Sequence, residues 1–88
     1  MKLLDGWALA KNAKSVSLDL RMKDFAAAMS LIGKIAKLAE AEDHHPDLHL
    51  TSYRNLRVEL STHAIGGLSE NDFILAAKID RLPKKLKT

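Results

Sequence analysis

The sequence predicts an α+β fold of two layers, a four-stranded antiparallel sheet with both helices on one face, in the order β-β-α-β-β-α. Apolar and polar residues alternate with period two before Asp24 and again around Val58. Apolar residues instead step by three and four after Asp24 and again after Ser69. A pair of strands thus precedes each helix, and the two helices must bury their apolar stripes on one face of the sheet.

The elements follow in order. Trp7 and Leu9 alternate with Ala8 and Ala10, and Val16, Leu18, Leu20 and Met22 alternate with Ser15, Ser17, Asp19 and Arg21, as strands with one buried and one wet face do. Lys11-Asn12-Ala13-Lys14 between them reads as a hairpin turn. In the first helix Phe25, Met29, Ile32, Ala36 and Ala39 form one stripe, and Ala28, Leu31, Ile35 and Leu38 form a second beside it. Only Ser30, Lys34 and Lys37 make a clear polar ridge, so the apolar face is wider than one sheet needs. Either the helix is set deep in the core or part of it meets another subunit. Leu48 and Leu50, separated by His49, predict a short third strand. Leu56, Val58 and Leu60, alternating with Arg57, Glu59 and Ser61, predict a fourth. Ser69 is placed to cap the second helix, with Glu70 and Asp72 near its positive end. Leu75, Ile79 and Leu82 form its inward stripe, and Pro83 limits it. Asp72 lies on that same stripe, so its carboxylate is either a helix-start charge or one aimed into a pocket.

Residues 1–88 are enough for one small domain and too few for two cores. A domain of this size buries only about 60% of the surface its unfolded chain exposes, and oligomerisation is a usual remedy. The absence of cysteine excludes a disulfide framework, a thiolate zinc site and a thiol nucleophile, and is compatible with a cytoplasmic setting. Met1-Lys2-Leu3-Leu4 opens like a signal segment, but Asp5-Gly6 ends the apolar run too early. No stretch approaches the roughly 20 apolar residues a membrane span requires. The net charge of +3 owes much to Arg81, Lys84, Lys85 and Lys87, which read as a solvated helix end favoured by the macrodipole. With aromatics at 5% and no interleaving of arginine with aromatic residues, no stacking platform for nucleic acid is expected.

Three of the four histidines, His44, His45 and His49, fall between Glu42 and Tyr53, and the fourth is His63. A zinc site needs three or four ligands at suitable spacing on a regular element. Adjacent side chains such as His44 and His45 diverge, and Pro46 forbids a regular helix between His45 and His49. No metal is therefore expected. Acid–base chemistry fits better, because imidazole both donates and accepts protons near neutrality. His44 and His45 sit in a turn after a helix and His63 at a strand end, where chemistry is usually placed. Exposed turn residues remain the competing reading. Gly66-Gly67 supplies a tight turn or lets backbone approach a flat ligand.

Several local motifs run in one order along nearly the whole chain. They are Gly6-Trp7, Asp24-Phe25, Glu42-x-His44-His45-Pro46, Tyr53, Ser61-Thr62-His63, Gly67-Leu68-Ser69, and Asp72 followed by Leu75-Ala76. Each is weak alone; together, at these spacings, they resemble the pterin-4a-carbinolamine dehydratase family, also known as the dimerisation cofactor family of a homeodomain transcription factor. The resemblance implies a hydro-lyase that dehydrates 4a-hydroxytetrahydrobiopterin to quinonoid dihydropterin during tetrahydropterin recycling. It carries the catalytic positions onto His44, His45, His63 and Asp72, and the substrate contacts onto His44, His45, Pro46, Thr62 and His63. It implies no cofactor besides the pterin substrate, and homodimers through sheet edges that join through helices into homotetramers. His49 matches no site element and reads as an exposed strand residue.

Two departures stand out. Only five residues precede Gly6, where family members often carry a further helix, so the transcription-cofactor role of animal members is not expected to carry over. The stretch from Pro46 to Tyr53 is one residue longer than in animal members, which predicts a bulge in the third strand. Two rival readings are a non-catalytic interaction module, which would not need three imidazoles, and a catalyst for another pterin, as in molybdenum cofactor metabolism.

Overall fold

Pairing of the strands puts apolar side chains into continuous rows, and these rows form the floor of the core. The computed structural model of the chain describes residues 6–87, the side chain of His63 excepted. The opening Met1–Leu4 run lies outside the described residues. The elements are β1 (Trp7–Leu9), β2 (Val16–Arg21), α1 (Phe25–Glu42), β3 (Asp47–Thr51), β4 (Asn55–Leu60), a 3-10 turn (His63–Ile65) and α2 (Glu70–Asp80). The sheet is antiparallel throughout, in the order β1-β2-β4-β3, so β1 and β3 are its edges. Trp7, Leu18, Val58 and Leu48 lie side by side across all four strands, and Leu20, Leu56 and Leu50 make the next row. Because side chains alternate, each row is apolar on one face, while Asp19, Arg57 and His49 stand in register on the other.

Both helices close over the apolar face, and their buried residues join the strand residues in a single cluster. Asp24 starts α1 as its N-cap, Oδ1 accepting from the Ala27 N–H at 2.8 Å. The buried stripe of α1 is Ala28, Leu31, Ile35 and Ala39, with Leu38 half-buried. Phe25 and Met29 from the other stripe are 53% and 47% exposed, and Ala36 is exposed beside them. The wide apolar face therefore divides into a core side and an open side. In α2, Leu75, Ala76 and Ile79 are buried, and Lys78 meets Glu42 of α1 at 2.7 Å. The Trp7 indole N–H donates to Asp80 at 2.9 Å, which fastens edge strand β1 to the end of α2. Among the described residues no helix is long and apolar enough to cross a membrane.

Two expectations need correction. No bulge interrupts β3: its pairing with β4 runs unbroken from Asp47 opposite Glu59 to Thr51 opposite Asn55. The turn at residues 52–54 closes the hairpin instead, with Ser52 and Tyr53 both at positive φ and the Arg54 guanidinium 5.0 Å over the Tyr53 ring. The basic tail is also not a solvated helix end. After Asp80 the chain turns back, Lys23 N–H donates to Lys85 O and Lys87 N–H to Arg21 O, each within 2.9 Å, and Leu86 bridges to Met22. Only Lys84 keeps the expected relation to the helix dipole, its ammonium donating to the carbonyls of Ile79, Asp80 and Leu82. Burial lowers the pKa of that ammonium, against the pull of Asp80.

Candidate active site

Three element ends meet at one edge of the core: the C-terminus of α1, the end of β4 and the start of α2. Helix α1 closes on Asp43, which takes the left-handed conformation at φ 49°, an aspartate-tolerant position that turns the chain sharply. The His44 N–H then returns to Ala39 O at 3.1 Å, fixing the residue against the helix end. Beyond β4, Thr62 and Gly67 bridge the base of a small loop, Thr62 N–H donating to Gly67 O at 2.6 Å. Gly66 supplies the positive φ of 61° that closes this loop. His63 opens the 3-10 turn inside it, and its side chain lies outside the described residues.

The groups brought together are His44, Thr62, Ser69 and Asp72. Asp72 is fully buried, although it stands in the first turn of α2. Its Oδ2 accepts from the Ser69 backbone N–H at 2.9 Å and from the Thr62 hydroxyl at 2.8 Å. Its Oδ1 lies 2.5 Å from His44 Nε2, and the His44 side chain is 14% exposed. The two readings of Asp72 are thus both correct, one oxygen serving each: Oδ2 closes the first turn of the helix, and Oδ1 is aimed at a histidine. A buried carboxylate holding three donors is compensated for its desolvation. Facing a carboxylate, Nε2 is the nitrogen of His44 that carries the proton, so Nδ1 is left as the acceptor.

His45 turns the other way, as adjacent side chains must. It is exposed and meets Glu40 on α1, Nε2 to Oε2, at 3.2 Å. His44, His45 and Pro46 form one side of an open cleft of about 380 Å³, and Ser61, Thr62 and Ala64 form the other. His49 stands outside this site on the open sheet face, exposed, 3.6 Å from Glu59. Among the described residues no three His, Asp or Glu side chains converge as a metal-binding group.

Two further clefts, of about 400 and 390 Å³, lie on the open sheet face and beside the start of α1. Volume does not separate the three; the buried carboxylate–imidazole pair belongs to the smallest. Sequence reasoning found His44, His45, His63 and Asp72 but read Ser69 only as a cap and Thr62 only as a substrate contact. Their hydroxyls are 2.6 Å apart, and no local periodicity signals a contact made through a loop.

The sequence profile described as pterin 4 alpha carbinolamine dehydratase matches residues 1–82. The chain belongs to that family. It is 49% identical over 79 residues to pterin-4-alpha-carbinolamine dehydratase 2, mitochondrial, of Arabidopsis thaliana, a match covering 88% of this chain and 42% of the plant protein. A relative in Nitrosomonas eutropha is 47% identical over 81 residues, covering 92% of this chain and 69% of that one. The chain therefore spans less than half of the plant relative and about two thirds of the bacterial one. Among solved structures, a Brucella melitensis protein described as a transcriptional coactivator/pterin dehydratase has the same fold, with a TM-score of 0.81 and 32% identity. That match covers 88% of this chain and 81% of the other. The family's β-β-α-β-β-α order is the order found here.

Proposed function

We propose that the cleft beside His44 dehydrates 4a-hydroxytetrahydrobiopterin to quinonoid dihydropterin and water, as a hydro-lyase in tetrahydropterin recycling. The observation that carries this reading is the buried Asp72 held against His44 at the mouth of a cleft, in a chain of this family. The reaction breaks the bond between C4a and its hydroxyl oxygen. The leaving oxygen takes up one proton and N5 gives one up, so the substrate loses one water and no redox partner is consumed. His44, with Nε2–H committed to Asp72, is suited to accept the N5 proton at Nδ1, and Asp72 stabilises the imidazolium so formed. His45 and His63 are assigned to protonating the leaving hydroxyl and holding the pterin. Pro46 and Thr62 complete the walls. No metal takes part in this scheme. A cytoplasmic setting goes with it, since a chain without cysteine asks nothing of an oxidising compartment.

The same reading includes a homo-oligomer, a tetramer built from dimers. Its support is the open side of α1, where Phe25 and Met29 stay about half exposed, together with the unpaired backbone of edge strands β1 and β3.

The decisive assay adds the protein to chemically generated 4a-hydroxytetrahydropterin and follows dehydration by ultraviolet absorbance. His44→Ala and His63→Ala should each lower the rate by about 10² or more, the scale of losing a general acid or base. Near-full activity in the double variant would sink the assignment. Turnover of only a different pterin would move the substrate and leave the residues in place.

A further inference from the structure

Thr62 and Ser69 have no proton-transfer role in the scheme above, yet their hydroxyls lead to its carboxylate. An ionised carboxylate only accepts hydrogen bonds. The Thr62 hydroxyl, 2.8 Å from Asp72 Oδ2, must therefore give its proton there. A hydroxyl has one proton, so across the 2.6 Å contact with Ser69 Oγ it is Thr62 that accepts and Ser69 that donates. The result is a one-way chain from Ser69 to Thr62 to Asp72. The Ser69 backbone N–H occupies Oδ2 as well, at 2.9 Å, so that oxygen is fully engaged and Oδ1 is left to His44.

We infer that Thr62 and Ser69 are positioning residues, which load Asp72 Oδ2 with donors so that Oδ1 holds His44 as its Nε2–H tautomer. With the carboxylate loosened, the imidazole can turn or exchange tautomers, and the acceptor facing the cleft is lost for part of the time. The Thr62 hydroxyl is thereby spent inside the protein, and only its methyl group and backbone are left to line the cleft. The effect on turnover rests on the dehydratase reading; the effect on His44 does not.

The test uses wild type, Thr62→Val, Thr62→Ser and Ser69→Ala, with the ring nitrogens of His44 followed by ¹⁵N spectroscopy at a pH where the imidazole is neutral. Dehydration kinetics are measured on the same samples. Wild type should show the Nε2–H tautomer alone. Thr62→Val should show a mixture, with kcat about tenfold lower and KM within about twofold, the usual effect of removing an outer hydrogen-bond partner. Thr62→Ser should restore both, and Ser69→Ala should fall between. An unchanged tautomer in Thr62→Val, or a raised KM at constant kcat, would overturn the inference and make Thr62 a substrate contact. If Thr62→Val does not fold, Ser69→Ala decides, since it removes only the remote donor. Wild type that fails to dehydrate the pterin, while Thr62→Val still mixes the tautomers, would refute the dehydratase reading and leave the positioning role standing.

Discussion

The molecule has two clusters in which a histidine and acidic residues come together, and they are opposite in character. On the open sheet face, Arg57 reaches Asp19 at 3.0 Å and Glu59 at 2.8 Å, and His49 lies 3.6 Å from the same Glu59. The hydrogen bond to Glu59, followed by the charge of Asp19, raises the pKa of the guanidinium. All four side chains are wet. Beneath the cleft, Asp72 is fully buried and His44 nearly so, and every partner of the carboxylate is supplied by the protein. Water can replace any member of the first cluster, whereas removing one member of the second leaves a buried group unpaired. The same residue types therefore make surface decoration in one place and a rigid, directional arrangement in the other.

Substituting the buried carboxylate is the strongest way to break this contrast. Asp72→Ala should cost about 3 kcal/mol of stability by denaturant titration, the scale of breaking a buried pair, and abolish most of the dehydration. Asp72→Asn keeps the shape and isolates the charge: stability should recover in part while activity stays low. The faces of α1 allow the contrast to be sharpened with apolar residues. Leu31→Glu, on the buried stripe, should unfold the domain, since losing a core leucine alone costs about 2–5 kcal/mol. Met29→Glu, on the half-exposed stripe, should leave the circular dichroism spectrum intact and lower the mass seen by light scattering. A monomeric wild type at micromolar concentration would defeat the oligomer proposal. The smallest effect belongs to Arg57→Ala on the open face, where no resolvable shift in thermal midpoint is expected at physiological salt. A large shift there would dissolve the distinction between the two clusters.

Much of the fold was legible because burial leaves a periodic mark. Val16, Leu18 and Leu20 announce a strand, and Leu31 and Ile35 a helix, wherever the partners lie. The two stripes of α1 were readable, but which one faces the core depends on how the helix is rotated over the sheet, and Ala39 crossed from one group to the other. The β3 bulge was wrongly expected since an added residue is absorbed more cheaply in a turn, where Ser52 and Tyr53 take left-handed conformations, than in a ladder that would lose hydrogen bonds. The tail was misjudged because backbone pairing of Lys85 and Lys87 with residues 21–23 leaves no side-chain pattern. At the site, His44 and Asp72 were visible through motifs, while their 2.5 Å contact joins residues from the ends of different helices.

The hydrogen bond from the Ser69 amide to Asp72 Oδ2 closes the first turn of α2 and also anchors the carboxylate that serves His44. Winding of that turn and arming of the histidine are consequently one event. A chain whose second helix frays at its start retains its sheet, its core and all its side chains, and still has no aligned imidazole. Deuterium uptake at the Ser69 amide should therefore report the fraction of molecules competent to react, and under mild denaturant it should rise in step with the loss of turnover, ahead of global unfolding.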